Sequence, residues 1–268
     1  MNIGIIGTGH LGKALIAGLV RSGTEPDRII LNARTAETTD ALKRAYPGIR
    51  ATADKRELAD GSDVIVLVVK AQNAGDVLAE IREADLSGKT IVSFMAGVTF
   101  SDMREMLRGA RGEYRLVRMM PNLGISLCKG VIGVCCEDES APPEDVTELF
   151  RRLGYFICLP EDKLENITIC AASGLAFTAS LMKAYRDSCD RLIGDAAVSE
   201  EITMRVFENV IDMIRNEGKT FEGLIEQIST KGGTTEAGMR VLRNSSLEEI
   251  LSQCIGSAYD RVNALKSE

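Results

Sequence analysis

Two short segments carry the residue types that could do chemistry, and they stand at opposite ends of the 268-residue chain. The first is Gly7-Thr8-Gly9-His10-Leu11-Gly12, directly after the apolar run 2–6. Glycines at the first, third and sixth positions permit a tight turn, a close approach of phosphate to the backbone, and close packing of the next helix on the strand. A helix opening near His10 would offer unbonded N–H groups and its positive dipole end to a diphosphate. The second segment is Gly232-Gly233-Thr234-Thr235. Its glycines leave N–H groups accessible, its threonines add hydroxyl donors, and the helix predicted to follow favours a negative guest. A carboxylate is the natural one. A dinucleotide held at the front and a small anion at the back predict a reductase of a small acid.

The residues between these segments narrow the chemistry. The second predicted strand ends in Asn32-Ala33-Arg34-Thr35, with no Asp or Glu to meet the ribose hydroxyls of an unphosphorylated dinucleotide. Arg34, Thr35 and Asn32 are donors suited to a 2′-phosphate, so NADPH is expected, with NADH as the weaker alternative. His10 is the lone histidine and lies in the phosphate turn, where a structural or phosphate contact suits it better than acid catalysis. Without another imidazole, reduction of a ketone lacks its usual proton donor, whereas a protonated imine needs only a hydride. Seven cysteines without a C-x-x-C pair read as thiols, mostly buried, in a reducing cytoplasm, with no metal site. A net charge of −7 argues against nucleic acid and anionic lipid as partners. No apolar run reaches the ~20 residues of a membrane span, and no basic leader precedes Ile3, so a cytoplasmic protein is expected.

Strands are predicted at 2–6, 28–31, 63–69, 89–94, 115–119 and 131–136, alternating with helices at 11–22, 35–45, 74–84 and 100–107. That alternation predicts a parallel sheet with helices on both faces, an α/β Rossmann-type fold. A further helix opens after Pro142-Pro143, and a short strand is expected at 155–159. Beyond Pro160 proline disappears and only helical periodicity is found: 163–193, 196–217, 220–229, 235–243 and 247–266. Two domains follow, a dinucleotide-binding domain at 1–160 and an all-helical domain at 161–268.

Several motifs together resemble the pyrroline-5-carboxylate reductase family over nearly the whole chain. Ser229-Thr230-Lys231-Gly232-Gly233-Thr234-Thr235-Glu236-Ala237-Gly238 resembles its substrate loop. Met120-Pro121-Asn122 resembles its strand-end motif beside the nicotinamide. Val69-Lys70-Ala71-Gln72 is similar to its Val-Lys-Pro-Gln turn, and Ser173-Gly174-Leu175-Ala176-Phe177 to the latter part of its Ser-Gly-Ser-Gly-Pro-Ala-Tyr. Departures stand beside these matches: Ala171-Ala172 for the first Ser-Gly, Leu175 for Pro, Phe177 for Tyr, and Leu123-Gly124 after Asn122 where the family has Thr-Pro. Replacing a mid-helix proline by Leu175 is expected to straighten that helix.

The resemblance implies reduction of the cyclic imine of 1-pyrroline-5-carboxylate to L-proline by NADPH. It also implies a helical dimerisation domain, giving a homodimer and, at the extreme, a decamer. The nicotinamide is expected near Ala96, Met120, Pro121 and Asn122, with Lys70 at the ribose. The substrate carboxylate is expected on Gly232, Gly233, Thr234 and Thr235, with Ser173 nearby and Thr235 bonded to the ring nitrogen. Two other readings remain open on the sequence. Lys183, ten residues after Ser173, would suit a 3-hydroxyacid-type dehydrogenase. A non-catalytic dinucleotide-binding regulator is the second.

Overall fold

The structure is a computed structural model that describes residues 1–137 and 141–265. Its N-terminal elements alternate as β1 (Ile3–Ile6), α1 (His10–Arg21), β2 (Ile29–Asn32), α2 (Ala36–Ala45), β3 (Arg50–Ala51), α3 (Lys55–Asp60), β4 (Val64–Leu67), α4 (Ala74–Ile81), β5 (Thr90–Ser93), α5 (Phe100–Met106) and β6 (Arg115–Pro121). Then come β7 (Gly130–Cys136), α6 (Glu144–Arg151), β8 (Gly154–Cys158) and α7 (Glu161–Ile167). The strands form one sheet in the order β3-β2-β1-β4-β5-β6-β7-β8. The order reverses between β1 and β4, which places a crevice at their carboxyl ends.

Every residue of β1, β2, β4 and β5 is buried. Covered on both faces, these strands read as unbroken apolar runs rather than alternations. Successive side chains feed opposite cores. Ile5, Leu31 and Val66 enter one cluster; Ile6, Ile30 and Leu67 enter the other. Burying each such side chain is worth about 1.5–3 kcal/mol.

The expected parallel sheet needs one correction. β6 and β7 run antiparallel, because the few residues between them, folded as a 3-10 turn at Leu123–Leu127, are too few for a crossover. β3 and α3 were not expected from the sequence. With two and six residues they are too short to show a period, and α3 is started locally by Asp54, whose carboxylate accepts the N–H groups of Arg56 and Glu57.

The remaining helices are α8 (Gly174–Ile193), α9 (Ala196–Glu217), α10 (Phe221–Ile228), α11 (Thr234–Arg243) and α12 (Leu247–Leu265). The final residue of the helix expected at 247–266, and residues 266–268 of the second expected domain, lie outside the described residues. The chain divides into two compact units. One is Met1–Ala172 together with the stretch from Tyr259; the other is Ser173–Ala258. The sheet unit runs past residue 160 because α7 is tied to the sheet by ion pairs from Arg118 on β6.

In the second unit Asp195 caps α9 by accepting from Ala197 and Val198, and Gly194 and Gly218 end α8 and α9 in the left-handed conformation. Tyr185 and Phe207 meet edge to face at 5.9 Å. Several large apolar side chains on these helices are exposed, among them Leu181, Leu192, Ile193, Ile202 and Ile211.

Three further expectations are corrected. The helix before Leu175 is not straight α-helix: Thr168–Ser173 forms a π turn, a widened ladder that absorbs an extra residue. Within the 33-residue helical stretch Glu161–Ile193, one 18-residue window reaches a mean hydropathy of 1.4, enough by length and composition alone to cross a membrane, where no such run was expected. Finally, the cysteines are not mostly buried as expected: Cys135 alone of the seven is buried, and Cys158 and Cys170 are exposed at a strand end and on a helix face.

Candidate active site

The loop after β1 shows three glycines doing three different things. Gly7 has φ +107°, and a Cβ there would stand 2.3 Å from the carbonyl oxygen of Val68. Gly12, in the first turn of α1, would bring a Cβ to 2.1 Å from the carbonyl oxygen of Gly7. Gly9 has nothing within 4 Å of its Cβ position and is the N-cap of α1 with no side chain capping it. The first two glycines therefore pack the turn, and the third leaves a clear approach to the helix N-terminus. That combination fits a diphosphate. His10 is exposed at the start of α1, and Leu11 packs against the core.

A cavity of about 650 Å³ opens at this point. It brings together Gly7, Thr8, Gly9, Asn32, Arg34, Thr35 and Lys70 of the sequence-expected residues. At one end lies the turn after β2. Arg34 is exposed, and Thr35 is the N-cap of α2, its Oγ1 accepting from the N–H of Thr38 at 3.3 Å. Asn32 differs from expectation in its orientation. Its Nδ2 donates to the carbonyls of Thr52 and Ala53, both at 3.0 Å, so its donors tie β2 to the β3–α3 loop instead of facing a phosphate. The cavity also takes in Thr38, Lys55, Asp76 and Glu80, which sequence reading missed. Lys55 Nζ pairs with Glu80 Oε1 at 2.9 Å. Nothing in its exposed polar surroundings marked Lys55; the only signal would have been the unrecognised helix that it opens.

Ala96 lies half-buried in the loop after β5, next to Gly97 with φ +79°. Met120 and Pro121 end β6 with both side chains buried. Asn122 uses its whole amide on backbone. Nδ2 donates to the Ala171 carbonyl at 3.1 Å, while Oδ1 accepts from Gly124 at 3.1 Å and Val131 at 3.2 Å. These four lie at the carboxyl edge of the sheet and are not part of the cavity lining.

A buried charge cluster stands behind that edge. Arg118 on β6 is 1% exposed. Its two terminal nitrogens reach Oε1 of Glu161 and Oε1 of Glu165, each at 2.7 Å. The neighbouring Cys135 thiol is pushed up to about 12 by burial, so it is neutral and unreactive at ordinary pH.

In the helical unit, Gly232 has φ +77° and its N–H donates to Glu236 Oε2 at 2.7 Å. The Gly233 N–H, expected to be open to a substrate, donates instead to the Thr230 carbonyl at 3.0 Å. Gly233 is the N-cap of α11 with no side-chain cap. The helix begins with Thr234, exposed, and Thr235, half-buried. Glu236, not singled out from sequence, is the third residue of the helix, a position from which a Glu reaches back over the first turn. Ser173 is half-buried at the end of the π turn. Lys183 is exposed and pairs with Asp187 on the next turn of α8 at 2.7 Å. Among the described residues no group of three His, Cys, Asp or Glu could hold a metal ion.

Comparison with known proteins bears on both halves of the chain. Residues 2–97 match a family model described as NADP oxidoreductase coenzyme F420-dependent, and residues 161–265 match one described as pyrroline-5-carboxylate reductase dimerisation. The chain is 27% identical over 270 residues to pyrroline-5-carboxylate reductase 2 of Bacillus subtilis, covering 99% of this chain and 95% of that protein. It is 27% identical over 271 residues to the Staphylococcus saprophyticus pyrroline-5-carboxylate reductase, covering 100% and 99%. A solved pyrroline-5-carboxylate reductase from Coxiella burnetii superposes with a TM-score of 0.85 at 27% identity, covering 98% of each chain. A Plasmodium falciparum pyrroline carboxylate reductase with NADP bound shares the fold, with a TM-score of 0.86 at 20% identity over 99% of this chain and 98% of that one. With relatives aligned from end to end and residues 161–265 matched to a model of pyrroline-5-carboxylate reductase dimerisation, this chain is similar to pyrroline-5-carboxylate reductases over its whole length.

Proposed function

We infer that this chain is an NADPH-dependent reductase that converts 1-pyrroline-5-carboxylate to L-proline, as the end-to-end likeness to reductases of that name supports. The observation that carries the reading is the cavity at the sheet's switch point. Its floor is the Gly7–Gly9 turn, and its far end holds Arg34 and Thr35 with no carboxylate at the end of β2. A 2′-phosphorylated dinucleotide fits this donor set: diphosphate on the uncapped start of α1, 2′-phosphate on Arg34 and the start of α2. When bound, reduced nicotinamide supplies the hydride for the imine carbon.

The chain's own residues bind and orient. Lys70, on the turn after β4, reaches the ribose region. The backbone of the Ala96 loop and of the Met120–Asn122 strand end supports the nicotinamide. Thr234 and Thr235 offer the uncapped first turn of α11 to the substrate carboxylate, with Gly232 and Gly233 shaping the approach and Ser173 beside it. The Thr235 hydroxyl is the hydrogen-bond partner for the ring nitrogen. It positions an imine that arrives protonated; a hydroxyl is a poor acid at neutral pH. Orientation and exclusion of water then supply most of the rate.

The match to a dimerisation model supports self-association. We read a homodimer through the C-terminal helices, whose exposed apolar side chains need a cover, and a decamer as the larger form. A cytoplasmic location is part of the same proposal. The test is oxidation of NADPH in the presence of 1-pyrroline-5-carboxylate, with L-proline as product, beside a panel of cyclic imine acids of other ring sizes. Turnover of another ring size alone would reassign the substrate, and no turnover of any member would overturn the reading.

A further inference from the structure

Arg118, Glu161 and Glu165 form a cluster that the proposed chemistry does not use. Arg118 and Glu165 are 1% and 3% exposed. Each carboxylate bonds to the arginine and also to one backbone N–H, of the loop after β5 or of the first residue of α5. Glu165 Oε1 accepts from Gly97 at 3.0 Å, and Glu161 Oε1 accepts from Phe100 at 2.9 Å. One arginine, through two carboxylates on α7, thus clamps both ends of the Gly97–Phe100 segment.

The clamp is costly in isolation. Arg118 Nε and Glu165 Oε2 are buried without a hydrogen-bond partner. Such clusters are often replaceable by apolar side chains without loss of stability. A purpose other than stability is therefore indicated, and the loop supplies one. It includes Gly97 at φ +79°, a turn that glycine makes without strain and whose N–H is fixed by Glu165. It also leaves the carboxyl end of β5, beside β4. In a sheet of this order the adenosine half of a dinucleotide lies over β1 and β2, and the nicotinamide half over β4, β5 and β6.

We propose that Glu165, held by Arg118, is a positioning residue: it fixes the Ala96–Gly97 turn and through it the nicotinamide end of the cofactor, without acting on the adenosine end. This rests on the reductase reading for its effect on rate, but not for its effect on binding.

The experiment compares affinity for NADPH with affinity for 2′,5′-ADP, which lacks the nicotinamide, in wild type, Glu165→Met, Glu165→Gln and the double variant Arg118→Met with Glu165→Met. In Glu165→Met, NADPH affinity is expected to fall at least about fivefold with 2′,5′-ADP affinity unchanged, and kcat to fall more than KM for the imine rises. Glu165→Gln keeps an oxygen for the Gly97 N–H and is expected to fall between Glu165→Met and wild type; it also serves if the methionine variants fail to fold. The double variant should melt no lower than Glu165→Met and still show the selective NADPH loss, which a merely structural cluster would not. Unchanged NADPH affinity, or equal losses for both nucleotides in folded variants, overturns the proposal. If wild type reduces no imine but the selective loss appears, the reductase reading fails and the positioning role stands.

Discussion

A Cβ on Gly12 would stand 2.1 Å from the carbonyl oxygen of Gly7, whereas one on Gly9, between them, would touch nothing within 4 Å. The same motif thus contains glycines that the fold requires and one that the packing of the fold does not require. Gly12→Ala should destabilise the sheet unit by about 1–3 kcal/mol, as overpacking typically does, or by more, since the Gly7 backbone carbonyl cannot rotate away. Gly9→Ala should melt within a couple of degrees of wild type, on the order of a neutral surface change, yet bind NADPH at least about tenfold more weakly. Thermal melts and nucleotide titrations on the two variants separate these roles; the reverse pattern would show that the cleft is not the phosphate site.

Arg34 stands at the cavity's far end with its guanidinium exposed. A hydrogen bond to a charged group is worth about 1.5–3 kcal/mol. Arg34→Ala is therefore expected to raise KM for NADPH about tenfold or more while leaving KM for NADH nearly unchanged. An unaltered NADPH-to-NADH ratio would remove Arg34 from the 2′-phosphate site and turn attention to Lys55.

Thr235→Ala should lower kcat by about ten- to a hundredfold, the range of one lost hydrogen bond to a charged group, with NADPH affinity unchanged. Thr235→Ser keeps the hydroxyl and should recover most of the loss. Equal turnover in wild type and the alanine variant would withdraw the role given to this side chain.

Asn122 satisfies three backbone groups with one amide. Asn122→Ala leaves them buried without partners, at about 1–3 kcal/mol for each group not reached by water. Urea denaturation should show a clear fall in midpoint. A variant as stable as wild type would mean that water replaces the amide there.

Asp187 is held down to about 2 by Lys183 and then Arg186. Its folded pKa lies below its unfolded value, so the pairing contributes stability at pH above ~4 and loses it as pH falls toward about 2. The group is exposed, so the effect is small. Acid titration followed by circular dichroism should show wild type slightly more stable than Asp187→Asn at neutral pH, with the two curves merging near pH 2. A gap that persists at low pH would assign the difference to something other than charge.

The motif spacing at Gly7–Gly12 and the apolar runs of β1, β4 and β5 made the nucleotide-binding half legible, because both rest on local geometry: a turn only glycine can make, and strands covered on both faces. The loss of proline after residue 160 marked the helical half in the same way. Partner choice across long sequence separations was not legible. Asn32 turns its donors to Thr52 and Ala53, Asn122 spends its amide on three backbone groups, Lys55 enters the cavity from a helix too short to show a period, and Arg118 finds Glu165 forty-seven residues away. Composition and periodicity say which residues will be buried or exposed. Which polar atoms meet is decided only when the sheet order and the docking of α7 bring distant segments together, because a buried donor must then take whatever acceptor the fold supplies.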